Sequence, residues 1–362
     1  MAGGGLATGD PARPAAEAAR ARWPGTRVEA VVALAGDASA RRYVRLRLAG
    51  GGAPPTAIAM LLPAGQAHVP EEITGGAPEM AELPFVAVQR VLEAHGIPVP
   101  AIYASDVPAG FLLLEDVGDL ALADAALASD ADGRARLFGA AVDTLADLAV
   151  LGVRKDVDLA AFGSPYGREL IARELDVVVT HGLASPDAGS PRPTGSDPEI
   201  DRALVELGDS VAAQPRVLMH RDYHAWNLHV DPQGRLRVID FQDAVPGPAL
   251  YDLASLCTDR DSDRFVDAAL ESALLARFAK ALDARGGPRW RDAADLRLDY
   301  LDAVAYRTLR VIGRFRFLAL EKGKTAYLRF LPGMARQTRR ALRERGRDHL
   351  ATLLAERATV FA

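Results

Sequence analysis

The sequence predicts an α+β fold of two lobes, a small β-rich N-lobe and a larger, mainly helical C-lobe. The chain has 362 residues, 49% of them hydrophobic, which is enough to bury more than one core. Short apolar runs separated by turn signals fill the chain up to residue 116, and apolar residues recur at helical spacing after residue 120. We therefore assign residues 21–116 to the N-lobe and 117–362 to the C-lobe, and expect residues 1–20 to be a disordered tail.

The N-lobe is predicted to contain strands separated by turns rich in Gly and Pro. The strand-like runs cover residues 28–34, 42–48, 56–62 and 111–114, with a further extended stretch at Ile102. The segment Gly36–Ala40 is predicted to close a hairpin between the first two runs. One helix from Pro84 to His95 interrupts them, because Pro favours a helix start and Gly96 follows its end.

The C-lobe is predicted to be built from six helices with the strands of a candidate site between them. The helices cover residues 134–151, 167–179, 199–213, 264–284, 293–320 and 335–355. Residues 184–198 are rich in Pro, Gly and Ser, which predicts a mobile loop.

Composition limits the partners and the compartment. A formal net charge of −5 and a pI near 5.9 give no electrostatic reason to expect nucleic acid or an anionic membrane as a partner. We expect a small neutral or anionic metabolite and no obligate protein partner. The only cysteine, Cys257, excludes an intrachain disulfide and fits a reducing compartment. No apolar stretch near the N-terminus suits a signal peptide or a membrane span, so a cytoplasmic location is expected.

The segment from His220 to Asn227 carries the strongest functional pattern. It places Asp222 and Asn227 in an HRDxxxxN arrangement, and Asp240 follows thirteen positions later at the end of a short apolar strand. In phosphoryl transfer the first Asp accepts a hydroxyl proton, and the Asn and second Asp hold Mg²⁺. The pattern therefore predicts ATP and Mg²⁺ as cofactors, with Asp222 as the base and Asn227 and Asp240 as metal ligands.

Two other interpretations of this segment stay open. Asp222 and Asn227 could instead form Asx turns in a polar loop, as these residue types often do. A zinc site could use His220, His224 and His229, since the first two are four residues apart. The zinc interpretation is weaker because the pair lacks the Glu of an HExxH motif and the flanking stretches look extended.

Three segments resemble known kinases. They are 36–43, then 239–253 with its Ile-Asp-Phe-Gln-Asp-Ala start, and finally 310–313 with 324–328. Between about residues 28 and 335 the chain resembles the aminoglycoside phosphotransferase and choline kinase superfamily, which has a bilobal protein-kinase-like fold. The resemblance is closer to the anomeric sugar kinases of cell-wall recycling, which phosphorylate N-acetylmuramate and N-acetylglucosamine.

This resemblance implies a nucleotide site and an acceptor. The turn formed by Gly36, Asp37, Ala38 and Ser39 would cover the nucleotide, and Leu114, Glu115 and Asp116 would form the adenine-binding hinge through their main chain. The Gly36–Ser39 segment could equally be an ordinary hairpin turn. Asp243 and Asp252 are expected to have supporting structural roles. The implied acceptor is the anomeric hydroxyl of an N-acetyl amino sugar in peptidoglycan recycling.

The chain departs from the wider superfamily at Met60, where a typical kinase has the lysine that grips the α- and β-phosphates. No lysine precedes Lys155. Arg41, Arg42 and Arg45 are candidate replacements, and strand alternation puts Arg41 and Arg45 on one face with Arg42 on the other. The missing lysine would also fit a pseudokinase, a non-catalytic nucleotide-binding module.

The acceptor is the least determined feature. Arg307, Arg310 and Arg314 share one face of the helix 293–320 and could meet the carboxylate of N-acetylmuramate. The sequence alone favours the alternative that they complement the helix dipole on a solvated surface. A kinase for an aminoglycoside or a choline-like amine remains the second enzymatic possibility, although no dense acidic run after residue 255 is present to meet a polycation.

Overall fold

The computed structural model describes residues 10–34, 41–63, 82–183 and 197–361. Its strands in chain order are β1 (Arg27–Ala33), β2 (Arg42–Ala49), β3 (Thr56–Leu61), β4 (Ile102–Asp106), β5 (Phe111–Glu115), β6 (Arg216–Met219), β7 (Leu228–Val230), β8 (Leu236–Val238) and β9 (Val245–Pro248). Its helices are α1 (Arg13–Arg22), α2 (Pro84–Ala94), α3 (Leu122–Leu127), α4 (Ala131–Leu151), α5 (Arg168–Val177), α6 (Pro198–Ala212), α7 (Tyr251–Thr258), α8 (Ala268–Ala284), α9 (Ala293–Lys322), α10 (Leu331–Arg345) and α11 (Asp348–Arg357). The α+β class is confirmed.

The chain divides into two compact units. The first contains the described residues up to Asp119 together with His229–Gln242, and the second contains the described parts of Leu120–Leu228 and Asp243–Ala362.

An antiparallel sheet organises the first unit. Its strand order is β1-β2-β3-β5-β4, in which Ala33 lies opposite Val44 and Tyr43 lies opposite Met60. The predicted hairpin between β1 and β2 is confirmed, whereas its turn at residues 36–40 lies outside the described residues. One face of the sheet buries Val44, Leu46 and Leu48 with the alanines of α1, and the other face carries Tyr43, Arg45 and Met60.

Helix α1 corrects the predicted N-terminal tail. It begins at Arg13, with Pro14 in its first turn, and buries Ala15, Ala16 and Ala19. Small side chains let the helix approach the sheet closely, so residues 13–20 are ordered and the tail prediction is wrong for them. Residues 1–9 lie outside the described residues.

The hairpin of β7 and β8 accounts for the second part of the first unit. Val238 donates its backbone N–H to Pro98, and Arg237 pairs with Glu115 on β5. Residues 229–242 are predicted to lie in the C-lobe because they follow the His220–Asn227 segment in the chain. These contacts instead make them part of the unit that contains the sheet.

Helix α9 organises the second unit. It is longer than predicted and buries residues along most of its length, among them Tyr300, Tyr306 and Ile312. Gly313 allows close packing against the π-helical turn Val178–Gly182 that continues α5, because a Cβ there would lie 3.1 Å from Val178 Cα. No helix in the described ranges is both long and apolar enough to cross a membrane.

The remaining helices differ from the prediction mainly at their ends. The single helix expected over residues 335–355 is two helices, α10 and α11, because Gly346 has a φ of 81° and ends the first. The short helices α3 and α7 were not predicted. Most of the expected loop at 184–198 lies outside the described residues, and Asp197 caps the start of α6.

Candidate active site

The loop that carries Asp222 begins where strand β6 ends. Strand β6 pairs antiparallel with β9, with Met219 opposite Val245. The next two backbone amides, those of His220 and Arg221, both donate to the carboxylate of Asp252 on α7. Arg221 itself has a left-handed backbone, with a φ of 77°, a conformation that non-glycine residues keep only when their surroundings hold it. The supporting role predicted for Asp252 is therefore to fix the start of this loop.

Asp222 faces two arginines of α9. Its Oδ1 lies 3.7 Å from Arg307 Nη2 and 3.9 Å from Arg310 Nη1, and its side chain is 34% exposed. Burial alone would raise the pKa of Asp222, but the Arg310 and Arg307 guanidinium groups outweigh burial and lower it well below its ordinary value. Asp222 is therefore ionised near neutral pH and partly open to solvent. The Asx-turn interpretation does not describe its carboxylate, whose partners are these arginines.

Arg307 and Arg310 are not on a solvated surface. Arg307 is 2% exposed, donates to Asp259 at 2.7 Å and lies over the ring of Tyr251. Arg310 binds the buried Glu174 of α5 through its Nε at 2.8 Å. The interpretation that the basic face of α9 only complements the helix dipole is wrong for these two residues, because tertiary packing places acids from other elements against them.

Two of the three histidines considered for zinc, His224 and His229, have polar partners in the protein. His224 is buried, which lowers its pKa to about 4, so its neutral ring accepts a hydrogen bond from Arg260 at 3.0 Å. His229 Nδ1 lies 2.9 Å from the carbonyl oxygen of Gly118. Within the described ranges, no three His, Cys, Asp or Glu side chains form a group able to hold a metal ion.

Asn227 closes the loop onto Asp222. Its Nδ2 donates to the Asp222 carbonyl at 3.0 Å, and its backbone N–H donates to His224. The first bond fixes the orientation of the amide, whose other end is the oxygen donor that Mg²⁺ prefers. The chemistry of this side chain fits a magnesium ligand.

Asp240 lies in the first unit, just after β8. Its φ is 63°, the left-handed region, and its Oδ1 accepts a hydrogen bond from Gln242 Nε2 at 2.9 Å. Phe241 beside it packs on Phe85, with ring centroids 4.8 Å apart. A strained backbone next to a packed aromatic residue directs a carboxylate at a defined position, and carboxylate oxygen also suits Mg²⁺.

The predicted hinge residues have their side chains engaged within the first unit. Glu115 binds Arg237 and accepts the backbone N–H of Ala101, and Asp116 forms a two-bond pair with Arg45. The backbone N–H of Glu115 also donates to the carbonyl oxygen of Ala101 at 2.9 Å. An adenine-binding role for the main chain at Glu115 and Asp116 stays a prediction.

The pairing of Arg45 with Asp116 bears on which arginine could replace the phosphate-binding lysine. Arg45 is held by Asp116 and by Asp119, and Arg42 is exposed on the other face of the strand. Arg41 forms a hydrogen bond with Tyr43. Burial is the main reason that the pKa of Tyr43 is raised, Asp240 raises it further, and the charge and hydrogen bond of Arg41 oppose the rise. Met60 is fully buried. The predicted turn residues Gly36, Asp37, Ala38 and Ser39 lie outside the described residues.

Two buried acids beside Asp222 were missed by sequence reasoning. Asp259 follows α7 and binds Arg307, and Glu174 lies on α5 among Tyr166, Tyr306 and Arg310. A signal for Glu174 was available, since an acid three residues after Ile171 and next to Leu175 falls on the apolar face of its helix. Asp259 carries no such periodic signal.

Comparisons with known proteins find phosphotransferases and kinases. The family model described as "Phosphotransferase enzyme family" matches residues 30–294. A protein of Pseudomonas putida named N-acetylmuramate/N-acetylglucosamine kinase is 31% identical over 86% of this chain and 83% of its own length. A protein of the same name from Pseudomonas aeruginosa is 33% identical over 72% of this chain and 74% of its own length.

Among solved structures, a choline kinase from Cryptosporidium parvum Iowa II superposes with a TM-score of 0.57. The match covers 92% of this chain and 96% of that one at 12% identity. Similarity at this identity shows a common fold and nothing about the acceptor.

Proposed function

Because this chain belongs to the phosphotransferase enzyme family, we propose that it transfers the γ-phosphoryl group of Mg-ATP to the anomeric hydroxyl of an N-acetyl amino sugar. The relatives named N-acetylmuramate/N-acetylglucosamine kinase, at 31% and 33% identity, support this acceptor class. We further propose that the reaction belongs to peptidoglycan recycling in the cytoplasm.

The observation that carries the proposal is the ionised, partly exposed carboxylate of Asp222, held by Arg307 and Arg310. An ionised carboxylate can accept a hydrogen bond from the acceptor hydroxyl, orient it and take its proton during transfer. Because the arginines lower its pKa, Asp222 is a weak base. A hemiacetal hydroxyl is more acidic than the hydroxyl of an ordinary alcohol. A weak base is therefore better suited to an anomeric hydroxyl than to an ordinary alcohol.

Asn227 and Asp240 are the proposed magnesium ligands. One amide oxygen and one carboxylate oxygen match the protein ligands of Mg²⁺ in phosphotransferases. Water and phosphate oxygens fill the remaining coordination positions. When bound, the ion neutralises charge on the phosphates. The protein's own task is to hold these two side chains through the bonds from Asn227 to Asp222 and from Gln242 to Asp240.

The nucleotide is proposed to be bound by the turn Gly36, Asp37, Ala38 and Ser39 and by the main chain at Glu115 and Asp116. Arg41 is our candidate for the missing phosphate-binding lysine. Arg45 is less suited, because binding phosphate would require it to leave two carboxylates.

The surroundings of Asp222 bear on the alternative acceptors. Arg307 and Arg310 lie beside the base, but the buried acids Asp259 and Glu174 pair with them, so their charge alone does not select against a cationic acceptor. The identity to proteins named N-acetylmuramate/N-acetylglucosamine kinase is what favours the sugar. The pseudokinase alternative is also weaker, because Asp222, Asn227 and Asp240 are all present.

An acceptor panel tests the proposal. ADP release from Mg-ATP would be measured with N-acetylmuramate, N-acetylglucosamine, choline and kanamycin. We expect turnover with one or both amino sugars and none with the two amines. Turnover only with choline or kanamycin would overturn the acceptor assignment, and nucleotide binding without turnover on any of the four would favour the pseudokinase.

A further inference from the structure

Glu174, a buried acid near the loop that carries Asp222, has no role in the proposed phosphoryl transfer. Glu174 of α5 is 3% exposed and forms a cluster with Tyr166, Tyr306 and Arg310, named below the Glu174 cluster. Its Oε2 accepts hydrogen bonds from both tyrosine hydroxyls, and Arg310 Nε lies 2.8 Å from the same oxygen. The two hydroxyls also lie 2.7 Å from each other.

Such a cluster is costly to bury. A carboxylate and a guanidinium must both be removed from water, and a packed apolar group would often stabilise the fold as well or better. The pKa of Glu174 nevertheless stays below its ordinary value, because burial is outweighed by Arg310 and Arg221 and by the tyrosine hydrogen bonds. The carboxylate is therefore ionised, and a stability role alone does not explain it.

The cluster is connected to Asp222 by two routes. Arg310 uses its Nε for Glu174 and turns its Nη1 towards Asp222, 3.9 Å away. Arg221, the residue before Asp222 in the chain, places its Nη2 3.7 Å from Glu174 Oε1 and its guanidinium over the ring of Tyr166. Glu174 thus fixes both a side-chain partner of Asp222 and the left-handed residue that precedes it.

We infer that Glu174 is a positioning residue, which acts through Arg310 and Arg221 to hold the Asp222 carboxylate at the acceptor hydroxyl. Arg310 approaches both carboxylates, so Glu174 acts on the base through it. The inference rests on the proposed role of Asp222 as the catalytic base.

The chain supplies a matched control for this inference. Glu271 of α8 is also buried, at 5% exposure, and binds an arginine and one tyrosine hydroxyl, where Glu174 binds two. Its partners are Tyr300 at 2.8 Å and Arg340 at 2.8 Å. Replacing Glu271 therefore removes a similar buried charge from the same unit without touching the partners of Asp222.

The experiment compares Glu174→Gln with Glu271→Gln in the full chain. Unfolding midpoints, kcat and the KM values for ATP and the amino sugar would be measured for both. We expect both to lose stability, but only Glu174→Gln to lose kcat, by about 10- to 100-fold, because a small displacement of a positioned group has effects of this size. Its KM for ATP is expected to stay near the native value. Equal kcat losses in the two variants would overturn the inference.

A milder pair keeps the test decisive if Glu174→Gln does not fold. Tyr306→Phe removes one hydrogen bond from Glu174, and Tyr300→Phe removes the corresponding bond from Glu271. We expect only Tyr306→Phe to lower kcat. Unchanged kcat in Tyr306→Phe would contradict the inference.

A double variant tests the route through Arg310. If Glu174 acts through Arg310, the total fold loss of kcat in the double variant Glu174→Gln with Arg310→Lys should be smaller than the product of the two single fold losses. Fully multiplicative losses would remove Arg310 from the route. Failure of the base assignment is distinguishable, because Asp222→Asn would then keep native activity whatever the Glu174 variants do.

Discussion

Asp222 owes its charge state and its orientation to residues distant in sequence. Arg307 and Arg310 reach it from α9, and each is held by a buried acid of its own, Asp259 and Glu174. The spacing of the two arginines predicts that they share a face of a helix. Spacing cannot tell a solvated face from one packed against acids, because that depends on which elements pack there.

Arg41, just before β2, and Arg45, within it, should respond differently to substitution. Arg41→Gln is expected to raise the KM for ATP about tenfold or more with little loss of stability, because it removes a charge-assisted contact to phosphate. Arg45→Gln is expected to lower stability by about 1–3 kcal/mol, since it leaves the nearly buried Asp116 without its partner. Steady-state kinetics and denaturant unfolding measure the two effects. The opposite assignment would be supported if Arg45→Gln raised the KM and Arg41→Gln did not.

Among the elements, strand β6 and helix α7 together set the catalytic loop. The strand delivers His220 and Arg221 to Asp252, whose carboxylate accepts both amides. Sequence reasoning assigns Asp252 a supporting role but does not find α7 or the pairing of β6 with β9. Both are short, and their residues gain a defined structure mainly from tertiary partners.

Asp252 should give the fold a measurable pH dependence. Burial raises the pKa of Asp252 from 3.8 to about 6, so this carboxyl holds its proton more tightly in the folded chain than in the unfolded chain. The stability that this contributes is complete below pH 3.8 and is lost as the pH rises through about 6. Asp252→Asn does not titrate. We therefore expect the native chain to lose on the order of 1–3 kcal/mol relative to the variant between pH 4 and pH 7.5.

Urea unfolding at several pH values measures this difference. Asp299→Asn is the control for removing another acid whose pKa burial raises. The side chain of Asp299 binds Trp290, away from the loop. A stability difference between native chain and Asp252→Asn that is constant with pH would contradict the raised pKa.

Long elements were predictable and breaks within them were less so. Helix α9 and strands β1 to β3 follow directly from apolar periodicity, which is strong over many residues. The division of the last predicted helix at Gly346 was missed because the apolar pattern continues through it, although a glycine followed by Arg347 and Asp348 is a common stop and restart.

For the whole molecule, the order of segments along the chain did not give the division into units. Residues 229–242 follow the catalytic motif immediately, yet they belong with the sheet through Arg237, Val238 and His229. The sequence predicts Asp222, Asn227 and Asp240 as site residues because phosphoryl transfer demands those residue types at that spacing. It does not identify Glu174 and Asp259 as partners, because no motif links them to the loop.

The rate of ADP formation by the native chain and by Asp222→Asn tests whether Asp222 is the base of a phosphotransferase acting on an amino sugar. It would be measured with Mg-ATP and the best acceptor of the panel, under conditions where both proteins bind nucleotide equally. We predict a loss of 10²-fold or more in kcat, roughly the contribution of a positioned general base. Native turnover in Asp222→Asn would contradict the account.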